Sequence, residues 1–387
     1  VILKSLILVL WAAEPVAIEP QPDLGWALAV QCDRAALVHT AQIFPSGPEV
    51  APTPPSEQVV QVLSQLREEL KLVESQLSDV IKLNVYVSHP TVTPLVEREL
   101  KTRFQNMRLP AVCFVETELP RPGSMVAIDA VAITPRNTAH AVHIKSAKVG
   151  HPARLGILPA GSVSYISGQA ERGDGSVVEA TRLTMHSLLQ TLAFLRRQPQ
   201  DVVHIKAFLT PVTSADMALE AIQSAFGDGV CPPISVVQWE SHLPIEIELV
   251  VADVPLEDVE PTALPVEYLT PSEMTASPIF ARVTRVHAPQ RIYISGLIAD
   301  REVPAAEEVA ALFSTLARVL QSSGSDLRHL AKATYYVAND ETSRELNLQR
   351  PRHYDPQRPP AASKAQVVGT GRTGRNITFD MIAVPKP

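Results

Sequence analysis

Four groupings in this 387-residue chain have residue types that could do chemistry. Gly369-Thr370-Gly371-Arg372-Thr373-Gly374 spells GxGxxG, the pattern that lets backbone N–H groups cradle a phosphate at a helix start. Here it lies between two predicted strands with no helix after it, so it reads as a hairpin loop. His140, His143 and His151 are loosely spaced and lack a cysteine or carboxylate at a fixed interval, so no metal set is expected. Cys32, Cys113 and Cys231 form no CxxC pair, and so sparse and odd a set predicts free thiols. No Gly-x-Ser-x-Gly elbow occurs, which leaves a serine-hydrolase triad without an anchor. The fourth grouping recurs. Leu37-Val38-His39-Thr40-Ala41-Gln42, Tyr165-Ile166-Ser167-Gly168-Gln169 and Tyr293-Ile294-Ser295-Gly296-Leu297 are each an apolar strand ending in a small-residue step.

These three stretches stand about 127 residues apart, far beyond the roughly 20–50 residues of a solenoid unit. The period implies one whole domain present three times, with copies at 13–140, 141–260 and 261–387. In the first copy, 25–31 and 36–43 read as a hairpin. Val59, Leu63, Leu66, Leu70, Val73 and Leu77 form one helical stripe, and 80–87 alternates as a strand. Pro94 sits in the first turn of a second helix, Pro110 opens a strand, and 125–133 is the last strand. The same order follows in the other copies, with strands at 202–209, 245–251, 333–337 and 376–384. Each copy therefore reads β-β-α-β-α-β-β, an α+β fold with both helices on one face of the sheet. Three uncovered sheet faces could close against one another as an intrachain pseudo-trimer.

Bulk composition narrows the partners. The net charge of −7 gives no basic footprint for nucleic acid, and hydrophobic content of 45% is ordinary for a globular chain. The apolar run within residues 1–13 is too short to span a membrane. It is either a short signal peptide with a poor cleavage site or an ordered first strand. The expectation is a cytoplasmic protein with no cofactor, no metal, no nucleic acid or membrane partner, and a small-molecule ligand.

The order of elements, with Ser-Gly-Gln after the first strand pair, resembles the YjgF/RidA family of reactive-intermediate deaminases, also described as endoribonuclease L-PSP. The second copy carries it best, in Tyr165-Ile166-Ser167-Gly168-Gln169, Pro232-Pro233-Ile234-Ser235 and Leu243-Pro244-Ile245-Glu246-Ile247-Glu248. Pro359-Pro360-Ala361-Ala362-Ser363 repeats part of it, and the first copy has Thr40-Ala41-Gln42 in place of Ser-Gly-Gln. The resemblance implies a chorismate-mutase-like fold, clefts at the copy boundaries, and hydrolysis of an imine or enamine to a keto acid and ammonia.

It also implies a set of site residues. Asp129, Glu248 and Asp380 correspond to an acid that positions water. Trp26, Thr40, Ser167, Gly168, Ser295, Gly296 and Asn347 fall at substrate-binding positions. The family arginine that pairs with a substrate carboxylate is missing, because Val112, Ile234 and Ala362 stand there. Arg154, Arg282, Arg285 and Arg372 are candidates to reach a cleft from a neighbouring copy. Without a clamp, the alternative is a non-catalytic binding or scaffold protein using the same clefts. Endoribonuclease chemistry is the least favoured by the acidic charge.

Overall fold

The computed structural model describes residues 14–46, 53–146, 150–255, 258 and 264–387. The expectation for residues 1–13 lies outside them. One order of eight elements occurs three times. The first segment has β1 (Val16–Gln21), β2 (Trp26–Asp33), β3 (Leu37–Thr40), α1 (Pro55–Lys71), β4 (Val80–Val87), α2 (Thr93–Arg103), β5 (Ala111–Glu116) and β6 (Val126–Ile133). The second has β7 (Val142–Ile144), β8 (Leu155–Leu158), β9 (Gly161–Gln169), α3 (Val177–Phe194), β10 (Val202–Leu209), α4 (Ala215–Ser224), β11 (Ile234–Gln238) and β12 (Ile245–Pro255). The third has β13 (Val266–Leu269), β14 (Val283–Val286), β15 (Gln290–Ile294), α5 (Ala305–Ser322), β16 (Leu330–Val337), α6 (Asp340–His353), β17 (Ala361–Gln366) and β18 (Ile377–Ala383).

The helices form where the stripes lie. In α1, Val59, Val62, Leu63, Leu66 and Leu70 are buried at three- and four-residue spacing, with proline at the first turn. Ser176 caps α3 by accepting from Glu179 N, and Asn339 caps α6 by accepting from Thr342 N. Each helix pair packs on its own four-strand set, ordered β5-β4-β6-β3, β11-β10-β12-β9 and β17-β16-β18-β15. The contact is one apolar core per segment.

Two features depart from the sequence reading. Each segment begins with one more strand than expected: β1, β7 and β13. And the expected hairpin between β2 and β3 does not form. β2 pairs with β15, β3 with β8, and β9 with β14, all antiparallel. Each segment thus lends a strand to its neighbour, and the last pairing returns to the first segment. Asp33-Arg34 is not a two-residue turn of the Asn-Gly type, so nothing local forces β2 onto β3. Arg34 instead donates to His287 O in the third segment.

The interior faces of β4, β10 and β16 repeat one sequence of polarity. Ile81, Val203 and Ala331 join an apolar cluster drawn from all three segments. Tyr86, Phe208 and Tyr336 join a second such cluster. Between them, Lys82 with Asn84, His204 with Lys206, and Lys332 with Thr334 point inward as a polar layer around a chamber of about 70 Å³.

Candidate functional site

Strand register places Asn84 opposite Asp129, Lys206 opposite Glu248 and Thr334 opposite Asp380, so all three acids face the axial layer. Each is already satisfied there. Lys82 Nζ lies 2.7 Å from Asp380 Oδ1, and Lys332 Nζ 2.6 Å from Glu248 Oε1. Both pairs cross between segments. Asp129 accepts from Asn84 Nδ2 at 2.7 Å, Tyr86 OH at 2.6 Å and Ser235 Oγ at 2.7 Å. In the position of the two lysines the second segment has His204, which meets Ser235 Oγ at 3.2 Å. Burial by itself would raise Asp380, but Lys82 and Lys206 reverse that and hold its carboxyl below the ordinary range. Carboxylates this enclosed and this well paired are structural. The water-positioning role expected for Asp129, Glu248 and Asp380 does not fit them.

The Ser–Gly steps lie at the seams. Ser167 Oγ donates to Ala281 O at 2.5 Å and accepts from Ala362 N at 2.7 Å. Ser295 Oγ donates to Ala27 O at 2.6 Å and accepts from Val112 N at 2.7 Å. Each hydroxyl therefore stitches two strands of the neighbouring region, at the backbone of the positions that lack arginine. Ser167 N and Ser295 N bond Arg282 O and Leu28 O, and the matching bond in the first segment runs from Ala41 N to Arg154 O. So Ala41, not Thr40, is the counterpart of the two serines. Thr40 is one residue off the expected register, and its Oγ1 accepts from buried Ala130 N.

The glycines separate the seams further. Gly296 N bonds the backbone carbonyl of Val112 at 3.0 Å. Gly168 N bonds a side chain, Ser363 Oγ, at 3.1 Å, and that hydroxyl donates in turn to Glu248 Oε2 at 2.8 Å. A Cβ on Gly168 would stand 1.9 Å from Glu246 Oε1, so this glycine exists to let a carboxylate approach the backbone. Glu246 is half-buried on β12, two residues before Glu248 and on the same face. Burial pushes its carboxyl up to about 7, helped by Glu248 and opposed by Ser363, Lys332 and Lys364. Its register partner is Phe208, and the matching positions opposite Tyr86 and Tyr336 are Ala127 and Thr378. Only the second segment carries an acid there. Replacing Gly168 with alanine should move the Glu246 carboxylate rather than the backbone. The expected result is a stability loss of only about 1 kcal/mol, read by urea titration, with the Glu246 titration shifted out of the neutral range when followed by NMR.

The other predicted residues are dispersed. Val112 and Ile234 belong to the first and second segment cores, and Ala362 is partly buried against the third. Trp26, 8% exposed, lines a groove of about 380 Å³ with Gly296 and Arg372 at the third–first seam, and its indole Nε1 has no hydrogen-bond partner. Asn347 Oδ1 accepts from Arg350 at 2.7 Å. None of the four candidate arginines is a free clamp. Arg372 crosses the seam to pair with Glu97, and Arg154 pairs with Glu69. Arg285 is held by Asp253 and Glu267, while Arg282 stacks on Phe280. Cys113 is enclosed, and burial raises its thiol far above reactivity. The GxGxxG stretch is a loop between β17 and β18, as read from the sequence. Among the described residues no group of histidine, cysteine and acid could hold a metal, and no helix is long and apolar enough to cross a membrane.

Residues 19–134 match the family model Endoribonuclease L-PSP. Among solved structures, the chain is similar to a YjgF-family protein from Neisseria meningitidis (21% identity, 32% of this chain and 96% of that one, TM-score 0.24). It is also similar to the Rid-family protein YyfB from Yersinia pestis (22%, 31% and 98%, 0.28). A third is a YjgF/YER057c/UK114-family member from Mycobacterium tuberculosis (22%, 31% and 99%, 0.23). No curated protein matches the chain.

Proposed function

We propose that the three segments are tandem copies of one YjgF-type, chorismate-mutase-like domain closed into a self-contained pseudo-trimer. In this reading the second–third seam hydrolyses the C=N bond of a small imine or the imine tautomer of an enamine. The repeated element order and the cyclic strand exchange support the first part. The observation that carries the second is Glu246, a carboxyl near pH 7 set against Gly168 and Ser363 at that seam. With the substrate nitrogen protonated as an iminium, ionised Glu246 removes a proton from water as the water oxygen attacks the C=N carbon, giving a neutral carbinolamine. The protonated Glu246 then gives that proton to the carbinolamine nitrogen. As the C–N bond breaks, the hydroxyl proton passes back to Glu246, the carbonyl forms and ammonia departs, carrying off that last proton as ammonium.

With Ala127 and Thr378 in the matching positions, the other two seams lack a base and serve binding or assembly. Ammonia release from an imine generated in situ should fall at least about 100-fold in Glu246→Gln, the scale of general acid–base catalysis. Wild-type activity should rise through pH 7 as Glu246 ionises. Turnover unchanged by Glu246→Gln would refute the assignment and leave a binding protein.

A further inference from the structure

Helix α6 carries a polar face toward β17. Ser343, Asn347 and Arg350 are spaced four and three residues apart and so share one side of the helix. Lys364 of β17 meets them. Its Nζ lies 2.8 Å from Ser343 Oγ and 3.4 Å from Asn347 Oδ1. The same Asn347 oxygen accepts from Arg350 Nη2 at 2.7 Å. Two cations thus converge on one amide oxygen. Arg350 is 6% exposed, its guanidinium lies over the Tyr335 ring, and its buried Nε has no hydrogen-bond partner. Among the described residues, no carboxylate lies within ion-pair distance of either nitrogen-bearing group. Burial, and after it Arg350, lowers the Lys364 pKa, and the opposing pull of Asp340 and Glu246 does not outweigh them.

Such an arrangement is costly while empty. A buried guanidinium and a half-buried ammonium side by side repel, and among the described residues neither has a carboxylate partner to offset its charge. The register shows that the fold does not require it. Lys364 pairs with Tyr335 across β16–β17, and the matching residues are Phe114 and Val236, both core. A lysine has replaced an apolar residue in one seam only, beside the one seam carboxyl that is held near neutrality.

We propose that Arg350, Lys364, Asn347 and Ser343 form a binding site for a doubly charged oxyanion, a phosphate or phosphate monoester. Two cations of fixed separation suit a dianion better than a monocarboxylate, and Ser343 Oγ and Asn347 Nδ2 supply uncharged donors. The inference rests on the seam reading only in placing this ligand beside Glu246. It would give the proposed substrate a phosphate group and supply one seam with the anion recognition absent at Val112, Ile234 and Ala362.

The test is calorimetric titration of the full chain with inorganic phosphate, glycerol 3-phosphate and acetate at low ionic strength. Lys364→Val is the informative variant, since it installs the residue type that the other segments carry. Both phosphates should bind and acetate should not, and Lys364→Val should weaken phosphate at least about tenfold. Tighter binding of glycerol 3-phosphate than of inorganic phosphate would mark an esterified ligand, and the reverse a free anion. Lys71→Met, at an exposed helix end, controls for general charge. No phosphate binding, equal binding of acetate, or equal weakening in the two variants would overturn the proposal. Glu246→Gln separates the two readings. If it binds phosphate but lacks turnover, both stand; if it keeps turnover, the catalytic reading alone falls.

Discussion

Lys82→Met should be the most damaging single substitution in the axial layer, costing about 3–5 kcal/mol. Lys82 and Asp380 have side chains 6% and 11% exposed, and their pair is 2.7 Å long. The lysine also donates to Ile294 O at 2.5 Å. Removing the ammonium leaves a carboxylate enclosed between two apolar clusters, with only part of its compensation left in Lys206 and Lys332. The expected cost is that of an uncompensated buried charge, not of the pair itself. Lys82→Met/Asp380→Leu should therefore be more stable than Lys82→Met alone, because no orphaned charge remains. A double-mutant cycle on urea midpoints measures the difference. Since Lys82 belongs to the first segment and Asp380 to the third, the single variant should also loosen the β2–β15 pairing, which hydrogen exchange at Arg291–Ile294 would report. A single variant within about 1 kcal/mol of the wild type would show that water or local relaxation solvates Asp380 and that the layer is not sealed.

The same layer shows what sequence could and could not say. Strands 80–87 and 202–209 were legible to the residue, because apolar runs bounded by turn residues leave little choice. The α1 stripe was equally plain. Strand partners were not. β2 and β3 bury side chains on both faces, and periodicity carries no information about which chain segment supplies the neighbour. β1, β7 and β13 are short edge strands without a clear alternation, and tertiary pairing alone makes them strands.

The roles of the acids were ambiguous in the sequence for a related reason. Glu246 and Glu248 share a face, so alternation cannot say which is axial and which is at the seam. Comparison among the three segments can. The Glu248 position is acidic in all three, as Asp129 and Asp380, which suits a shared structural layer. The Glu246 position is acidic once, opposite Ala127 and Thr378, which marks divergence. Lys364 against Phe114 and Val236 is the same signal.

Acid should destabilise the protein early, and through two histidines rather than its carboxylates. His39 and His204 lie in the axial layer with ring centroids 5.7 Å apart. Burial pushes both down to about 3, with His204 opposing charge on His39, and Lys206 and Lys332 opposing charge on His204. An unfolded histidine titrates near 6.5. Below that pH the unfolded chain binds two protons that the folded chain refuses, so stability falls as pH drops from 6.5 toward 3. Each histidine contributes about 1.4 kcal/mol per pH unit, or roughly 3–4 kcal/mol for both by pH 5. Glu246 acts in the opposite sense. Its raised pKa lets the folded state hold an extra proton between about 4.5 and 7, which stabilises on acidification and masks part of the loss.

The clean measurement is thus the urea midpoint at pH 7.5 and pH 5 in a Glu246→Gln background. Two substitutions borrow from the other segments. His39→Tyr installs the residue found at Tyr165 and Tyr293, which line the same chamber. His204→Lys installs the lysine of Lys82 and Lys332, beside the Ser235 hydroxyl that donates to Asp129. Each should remove about half of the acid-induced loss, and together nearly all of it. If the wild type loses nothing between pH 7.5 and 5, the histidines are solvated and the chamber is open to water. If the loss persists in the double variant, another buried base is responsible, and His143, which burial also lowers while it contacts Val202 O, is the next to replace.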